Sequence, residues 1–185
     1  MAAQPLSTGN ADRIQQRIRE GAFREATSLC AREHGAAVGR FCMALLGSQG
    51  EAEEVAQETL IAAHRAMASY RGDGSVRSWL FGIARRMCAR RIETRVRRER
   101  KLRLVHDAGS GDVPEDAVER QQRATLVRNA LEDLKPSERD VVLLRYEAGL
   151  SYREIASACG IDEAAARKRA SRALHRLRTA LKDQL

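Results

Sequence analysis

The chain has 185 residues, with 33 Lys and Arg against 25 Asp and Glu, for a formal net charge of +8. That balance suits a polyanionic partner, nucleic acid first and an anionic membrane surface second. Aromatic residues are only 4% and Pro numbers three, which favours helices nearly throughout; no apolar run is long enough to span a bilayer, and Met1 to Asn10 lacks the charged start and apolar core of a signal peptide.

The first ten residues read as a short flexible lead, and the protein is expected to stay in the cytoplasm. Helices are predicted over residues 12–20 and 22–46, with Gly47 ending the second. Ser48 and Glu51 have capping-box spacing and open a helix that runs to about Ser69. Its inner face is Ala52, Val55, Ala56, Thr59, Leu60, Ala63 and Met67. Its outer face starts with Glu51, Glu53, Glu54, Gln57 and Glu58. Tyr70-Arg71-Gly72-Asp73-Gly74 is a glycine-punctuated loop. Ser75 can cap the next helix, where Val76, Trp79, Leu80, Ile83, Ala84 and Met87 follow helical spacing. Trp79 on that stripe is expected to be core.

Charge then divides the chain. From Arg85 to Arg103 there are ten basic residues and two acids; from Asp107 to Glu119 there are five acids and no Lys or Arg. Gly109-Ser110-Gly111 and Pro114 mark the acidic stretch as a flexible tether. The expected architecture is all-α: a helical domain over residues 1–105, a linker over 106–119 and a smaller helical domain over 120–185. Each core is small, so partner contacts are expected to add rigidity. In the second domain Val127, Ala130, Leu131 and Leu134 form one helix. Ser137 is placed as the cap of another, carrying Val141, Val142 and Leu144 and ending at Gly149. Ser151 and Glu154 make a capping box, Gly160 supplies a turn, and Asp162 can cap a final basic helix. There Ala166, Ala170, Ala173, Leu174, Leu177 and Leu181 share one stripe, while Lys168, Ser171, Arg172 and His175 lie opposite. This is a helix-turn-helix with a cationic outer face, the shape that enters a DNA major groove. The alternative for the same pattern is an amphipathic hairpin with a solvated basic face.

The four cysteines, Cys30, Cys42, Cys88 and Cys159, make no CxxC pair and sit in apolar helical patterns, where free Cys behaves as a small hydrophobe. Cys30 and His34 share a helical face with Cys42 further on, so a metal or redox site is conceivable. The expectation is no metal, no cofactor and no disulfide. No Ser/His/Asp triad, phosphate-binding glycine loop or carboxylate dyad is evident, which argues against an enzyme.

The order of motifs names a family. Ala52-Glu53-Glu54-Val55-Ala56-Gln57-Glu58-Thr59-Leu60, then Tyr70-Arg71-Gly72, then Trp79-Leu80-Phe81-Gly82-Ile83-Ala84-Arg85 resembles the core of bacterial sigma factors. Leu134 to Leu177 resembles their promoter-upstream-element domain. With these two domains alone, the chain resembles an extracytoplasmic-function (group 4) sigma factor from about residue 15 onward. The resemblance implies that Glu51, Glu53, Glu54, Gln57 and Glu58 dock on the clamp helices of the largest subunit of core RNA polymerase, charge complementarity setting orientation and on-rate. It implies that the loop from Ala68 to Ser75 captures a base flipped from the non-template strand of the −10 element, with Tyr70 or Arg71 offering stacking surface or charge. Ser75, Arg77, Arg85, Arg86 and Arg90 would face the same DNA. Arg86 and Arg90 stand where relatives often carry uncharged polar residues, which points to phosphate binding there.

In the recognition helix, Ala164, Ala165, Arg167, Lys168, Ser171 and Arg172 match positions that face the −35 element, with Ser151 at the start of the preceding helix. Arg167 and Arg172 suit guanine and Lys168 suits phosphate. Relatives commonly show Gly-Thr-Val where Ala164-Ala165-Ala166 stands. The linker matches a segment that threads toward the polymerase active-site channel, and the polymerase flap and an anti-sigma factor are implied as further partners. The function so implied is a promoter-specificity subunit that also helps melt DNA. The first alternative is a stand-alone helix-turn-helix regulator, which leaves the acidic helix and glycine loop without a task. The second is a DNA recombinase, for which Ser75 and Ser78 near Arg77 are the only nucleophile candidates.

Overall fold

The computed structural model describes the backbone of residues 8–103 and 118–182 and the side chains of residues 13–98 and 125–182. Eight α-helices make up the described residues, with no strand among them: α1 (Thr8–Arg19), α2 (Phe23–Leu46), α3 (Gln49–Ala66), α4 (Val76–Arg103), α5 (Val118–Glu132), α6 (Pro136–Tyr146), α7 (Tyr152–Cys159) and α8 (Glu163–Lys182). The all-α expectation is met. Residues 1–7 of the expected lead, and most of the expected linker, lie outside the described residues; residues 8–10, expected in the lead, and 118–119, expected in the linker, are helical.

Local chemistry accounts for most boundaries. Gly47 closes α2 in the left-handed conformation at φ 70°, where a Cβ would be strained, and its amide donates to Met43 O. Ser48 caps α3 by accepting from the Glu51 amide, but only that half of the expected box forms. The Glu51 carboxylate turns instead to the Arg95 guanidinium at 3.5 Å. Ser75 caps α4 by accepting from the Ser78 amide at 3.0 Å. The box at Ser151 and Glu154 is complete, Gly160 turns at φ 66°, and Asp162 accepts from the Ala165 amide at 2.6 Å, so the helix-turn-helix forms as its sequence dictates. Ser137 is not a cap. Lys135 holds that position with no side-chain bond, and Pro136 occupies the first turn, where its missing amide costs nothing.

Helices α2 and α3, joined only through Gly47 and Ser48, pack most extensively; α1 and α4 close the same core. Phe41 of α2 and Phe81 of α4 meet edge to face at its centre, with ring centroids 5.5 Å apart. Thr59, fully buried, donates its hydroxyl to Val55 O at 2.7 Å and so carries no unmet polar group. In the second half, α6, α7 and α5 pack on α8 through the buried Ala166, Ala170 and Ala173.

The sequence stripe on α4 predicts one buried face. In the structure Leu80, Phe81, Gly82, Ile83 and Ala84 are all buried, because α7 covers the side of α4 that faces away from α2 and α3. One apolar cluster therefore runs from Ile14 through Phe81 to Leu144, Ile155 and Ala158. Trp79 is only partly buried, against the Tyr70 ring at 5.0 Å, and is not the core residue its spacing suggests.

Candidate functional site

The acidic face of α3 is exposed at Glu53, Glu54, Gln57 and Glu58, while Glu51 is half-buried. Basic residues of α4 lie along its edge. Arg91 Nη1 is 2.8 Å from Glu54 Oε2 and its Nη2 is 3.4 Å from Glu58 Oε1. Arg95 reaches both Glu51 and the carbonyl of Leu46, at 3.0 Å, and so places positive charge at the C-terminal end of α2. Glu53 pairs only with the amide of Gln49. Between α3 and α4, Glu51, Glu58, Arg91 and Arg95, with Met87, Arg90, Thr94 and Arg98, line an open groove of about 480 Å³.

The loop after the 3₁₀ turn Met67–Ser69 is folded on itself: Tyr70 Oη donates to Gly74 O at 2.5 Å. Burial pushes the Tyr70 phenol above its ordinary pKa, with Asp73 adding and Arg19 opposing, so it stays a donor at neutral pH. Tyr70, Arg71, Trp79 and Arg86 line a cavity of about 240 Å³ whose far wall is Ser157 and Ala158 of α7. Trp79 is the member of this set that sequence reasoning assigns to the core. Its contact with the Tyr70 ring, nine positions earlier, is what its helical spacing does not show.

The residues expected to face the −10 element separate into two groups. Tyr70, Arg71 and Arg86 stay at the loop, and Arg90 lines the α3–α4 groove. Ser75, Arg77 and Arg85 instead bond to the C-terminal half. Ser75 Oγ donates to Glu154 Oε1 at 2.8 Å, the Arg77 guanidinium donates to Ala148 O, and Arg85 Nη1 lies 3.2 Å from Asp140 Oδ2. Burial works against the Glu154 carboxylate, but the Ser151 amide, the Ser75 and Ser151 hydroxyls and the Arg77 charge together hold it below its ordinary pKa. Burial raises the Asp140 carboxyl above its ordinary value, and Arg85 offsets only part of that rise. His34, buried nearby with no partner at Nδ1, is lowered first by burial and then by the Arg77 charge, which keeps it neutral.

On α8, Arg167, Lys168, Ser171 and Arg172 are exposed, as is Ala164, whereas Ala165 is partly covered; Ser151 is exposed at the start of α7. Tyr152 sits beneath the turn with the Arg145 and Arg167 guanidiniums 5.1 and 5.0 Å from its ring centroid. Arg167 also pairs with Glu163 one turn back. Arg167 is thus held over an aromatic face, which restricts its rotamer freedom. Tyr152 is a positioning residue that the sequence pattern does not single out.

The thiols offer little chemistry. Burial pushes Cys30 up to about 11 and raises Cys159, and Cys88 rises through its hydrogen bond with Cys42 and then through burial. Among the described residues no three of the His, Cys, Asp and Glu side chains converge to hold a metal ion, so the Cys30, His34 and Cys42 grouping does not form a site. No helix of the described residues is long and apolar enough to cross a membrane.

Comparison with known proteins identifies the family. Residues 30–98 match the Sigma-70 region 2 family and residues 124–177 match Sigma-70, region 4. The ECF RNA polymerase sigma factor SigL of Mycobacterium tuberculosis is 32% identical over 157 residues, covering 82% of this chain and 86% of its own. The probable RNA polymerase sigma-C factor of Mycobacterium bovis is 34% identical over 138 residues, covering 71% of this chain and 70% of its own. Among solved structures, the sigma factor RpoE in complex with the anti-sigma factor NepR from Bartonella quintana superposes with a TM-score of 0.65 at 25% identity, covering 82% of this chain and 94% of that one. CnrH in complex with the cytosolic domain of CnrY shares the fold, with a TM-score of 0.70 at 22% identity over 95% of this chain and 99% of that one. The chain belongs to the extracytoplasmic-function RNA polymerase sigma factors, which direct the polymerase to promoters, and it is not a stand-alone regulator.

Proposed function

We propose that the two halves divide promoter recognition between them. The exposed carboxylates Glu53, Glu54 and Glu58, with Glu51 and Gln57, form the surface for the basic clamp helices of core RNA polymerase. The cavity bounded by Tyr70, Arg71 and Trp79 receives an unpaired base from the −10 element, the two aromatic rings giving it a stacking surface. Ser75, Arg77, Arg85, Arg86 and Arg90 supply contacts to the surrounding backbone. Arg167 and Arg172 read base edges of the −35 element, Lys168 and Ser171 hold its phosphates, and Ala164, Ala165 and Ser151 border the same groove.

The observation that carries this reading is the pairing, on one chain, of an exposed acidic helix with an exposed cationic recognition helix and an aromatic-lined loop cavity between them. An acidic helix has no use in binding DNA and a cationic one has none on a basic clamp, so each needs a different partner. Sigma factors are not enzymes, and the chemistry of RNA synthesis belongs to the polymerase. The polymerase flap and an anti-sigma factor are proposed as further partners, the latter because the sigma factor RpoE of Bartonella quintana is solved in complex with one, and the cytoplasm as the site of action.

Run-off transcription with purified core polymerase, on templates with randomised −35 and −10 elements, tests this. Selective transcripts that depend on the protein, and are lost on Glu54→Lys or Arg167→Ala, are the expected result. Sequence-specific footprinting by the protein alone, with no transcripts, refutes it.

A further inference from the structure

The loop over residues 70–74 has a cavity on each side. Tyr70, Arg71 and Gly72 border the loop cavity of about 240 Å³ and also a larger one, of about 360 Å³, next to α1. No residue of the C-terminal half borders this second cavity. Its floor is apolar: Ile18 and Met67 are buried, and Phe23 is half-buried at the start of α2. Its rim is polar, made by Gln15 and Arg19, one turn apart on α1, and by Arg71 of the loop.

The rim groups have no work inside the protein. The carboxylates at this end of the molecule, Glu20 and Glu25, are taken by Arg17 at 2.8 and 3.3 Å. Among the described residues neither Arg19 nor Arg71 has a carboxylate partner, and the half-buried Gln15 amide makes no side-chain hydrogen bond. The loop nevertheless comes close to that amide. Gly72 has φ 80°, and a Cβ there would lie 3.2 Å from Gln15 Nε2. A cation in the last turn of α1 suits the helix dipole. The dipole gives no reason for a free amide above an apolar floor.

We infer that the cavity next to α1 is a second base subsite: it takes the nucleotide adjacent to the flipped base of the −10 strand, and it selects adenine. The inference rests on the promoter reading given above. A base whose neighbour has left the stack has lost one of its own stacking partners, so it is the next to be drawn out. Tyr70 and Phe23 offer it aromatic surface. A primary amide matches the edge of adenine, Nε2 of Gln15 donating to N7 while Oε1 accepts from the N6 amino group. Guanine presents an acceptor where adenine presents that amino group, and the pyrimidines have no N7. Arg71, in the wall common to both cavities, is placed for the phosphate that joins the two nucleotides, and Arg19 for the next phosphate along.

The test uses the full chain with core polymerase, on a promoter recovered from the randomised library, with each base placed in turn at every position of its −10 element. The original chain should prefer adenine by about tenfold at one position. Gln15→Ala should level that preference and leave those at the adjacent position and at the −35 element in place. At the same position 7-deazaadenine, which lacks only the N7 acceptor, should lower transcription by the original chain about fivefold and by Gln15→Ala not at all. Arg19→Gln should weaken binding to a pre-melted promoter for all four bases alike, and reduce the slope of log affinity against log salt by about 0.7. Circular dichroism checks that each variant is folded, and the 7-deazaadenine comparison on the original chain needs no variant. A folded Gln15→Ala with every base preference intact overturns the inference, as does full transcription of the 7-deazaadenine template by the original chain. A folded Arg19→Gln with an unchanged salt slope overturns the phosphate contact. If the original chain gives no promoter-selective transcripts, the promoter reading fails and this subsite with it. Selective transcripts with no −10 preference that depends on Gln15 overturn the subsite alone.

Discussion

Replacing Arg91 by Ala should tighten the grip of the chain on core polymerase. Arg91 holds Glu54 and Glu58 at 2.8 and 3.4 Å, and both carboxylates are more than half exposed. Ion pairs of that exposure each contribute about 0.2–1 kcal/mol. Their loss should cost the fold no more than about 1–2 kcal/mol, a fall of roughly 2–8 °C in Tm for a chain of this size. On binding, the same carboxylates no longer have to leave Arg91 before they meet the clamp. Relief of about 1 kcal/mol corresponds to an affinity gain of roughly fivefold. The assay is a fluorescence titration of core polymerase at low and at raised salt, with Glu54→Lys as the opposite control. The gain should shrink as salt screens the internal pair. A loss of tenfold or more on Arg91→Ala would show that Arg91 itself touches the polymerase and refute the reasoning.

Phe41→Ala removes one partner of the central edge-to-face pair and should cost about 3–5 kcal/mol, read by urea unfolding. Tyr152→Leu keeps the bulk under the turn but removes the face that orients Arg145 and Arg167; −35 discrimination should fall two- to tenfold in a competition assay, with the melting temperature little changed. Glu154 is held below its ordinary value of 4.5, so its ionised form stabilises the fold above that pH and the contribution disappears as pH falls through the lowered value. Glu154→Gln should therefore destabilise at pH 7, and the gap from the original chain should close under acid; a gap that widens below pH 4.5 contradicts the assignment. Cys30, Cys42 and Cys88 are buried while Cys159 is partly exposed, so a thiol reagent at pH 8 should modify Cys159 first and the other three only on unfolding, which mass spectrometry of time points will show.

Much of this molecule is legible from local rules. The caps at Ser75, Ser151 and Asp162, the stop at Gly47 and the turn at Gly160 each depend on a few adjacent residues, and all form as expected. The acidic face of α3 and the cationic face of α8 are likewise exposed, because periodicity alone determines which side of a helix meets the core. Most of what escapes local reading is decided by distant chain, with Ser137 the exception. Ser137 loses its expected role because Pro136 suits the first helical turn without a cap. Glu51 closes only half its box because Arg95, more than forty positions later, offers it a charge. Arg77 and Arg85 look like DNA-binding arginines in any window of sequence, and only the packing of the C-terminal half on α4 reveals their internal partners, Ala148 and Asp140. Gly82 within an apolar stripe is the one clue to that packing that the sequence carries. A glycine in a helix interior asks what comes close, and Ala158 is the answer.

The inner edge of α8 has a consequence for how such a protein can change over generations. Ala166, Ala170 and Ala173 are fully buried on the side of α8 that packs against the other helices of the second half, while Arg167, Lys168 and Arg172 project into solvent. On the proposed reading, folding thus depends on one set of positions and target choice on another, interleaved along a single helix. Exposed substitutions usually alter stability by less than about 0.5 kcal/mol. New target preferences can therefore arise at the outer positions one substitution at a time, each tried on an intact scaffold. The alanines limit that freedom, since a bulkier residue at any of them would shift the whole reading head and alter every contact at once.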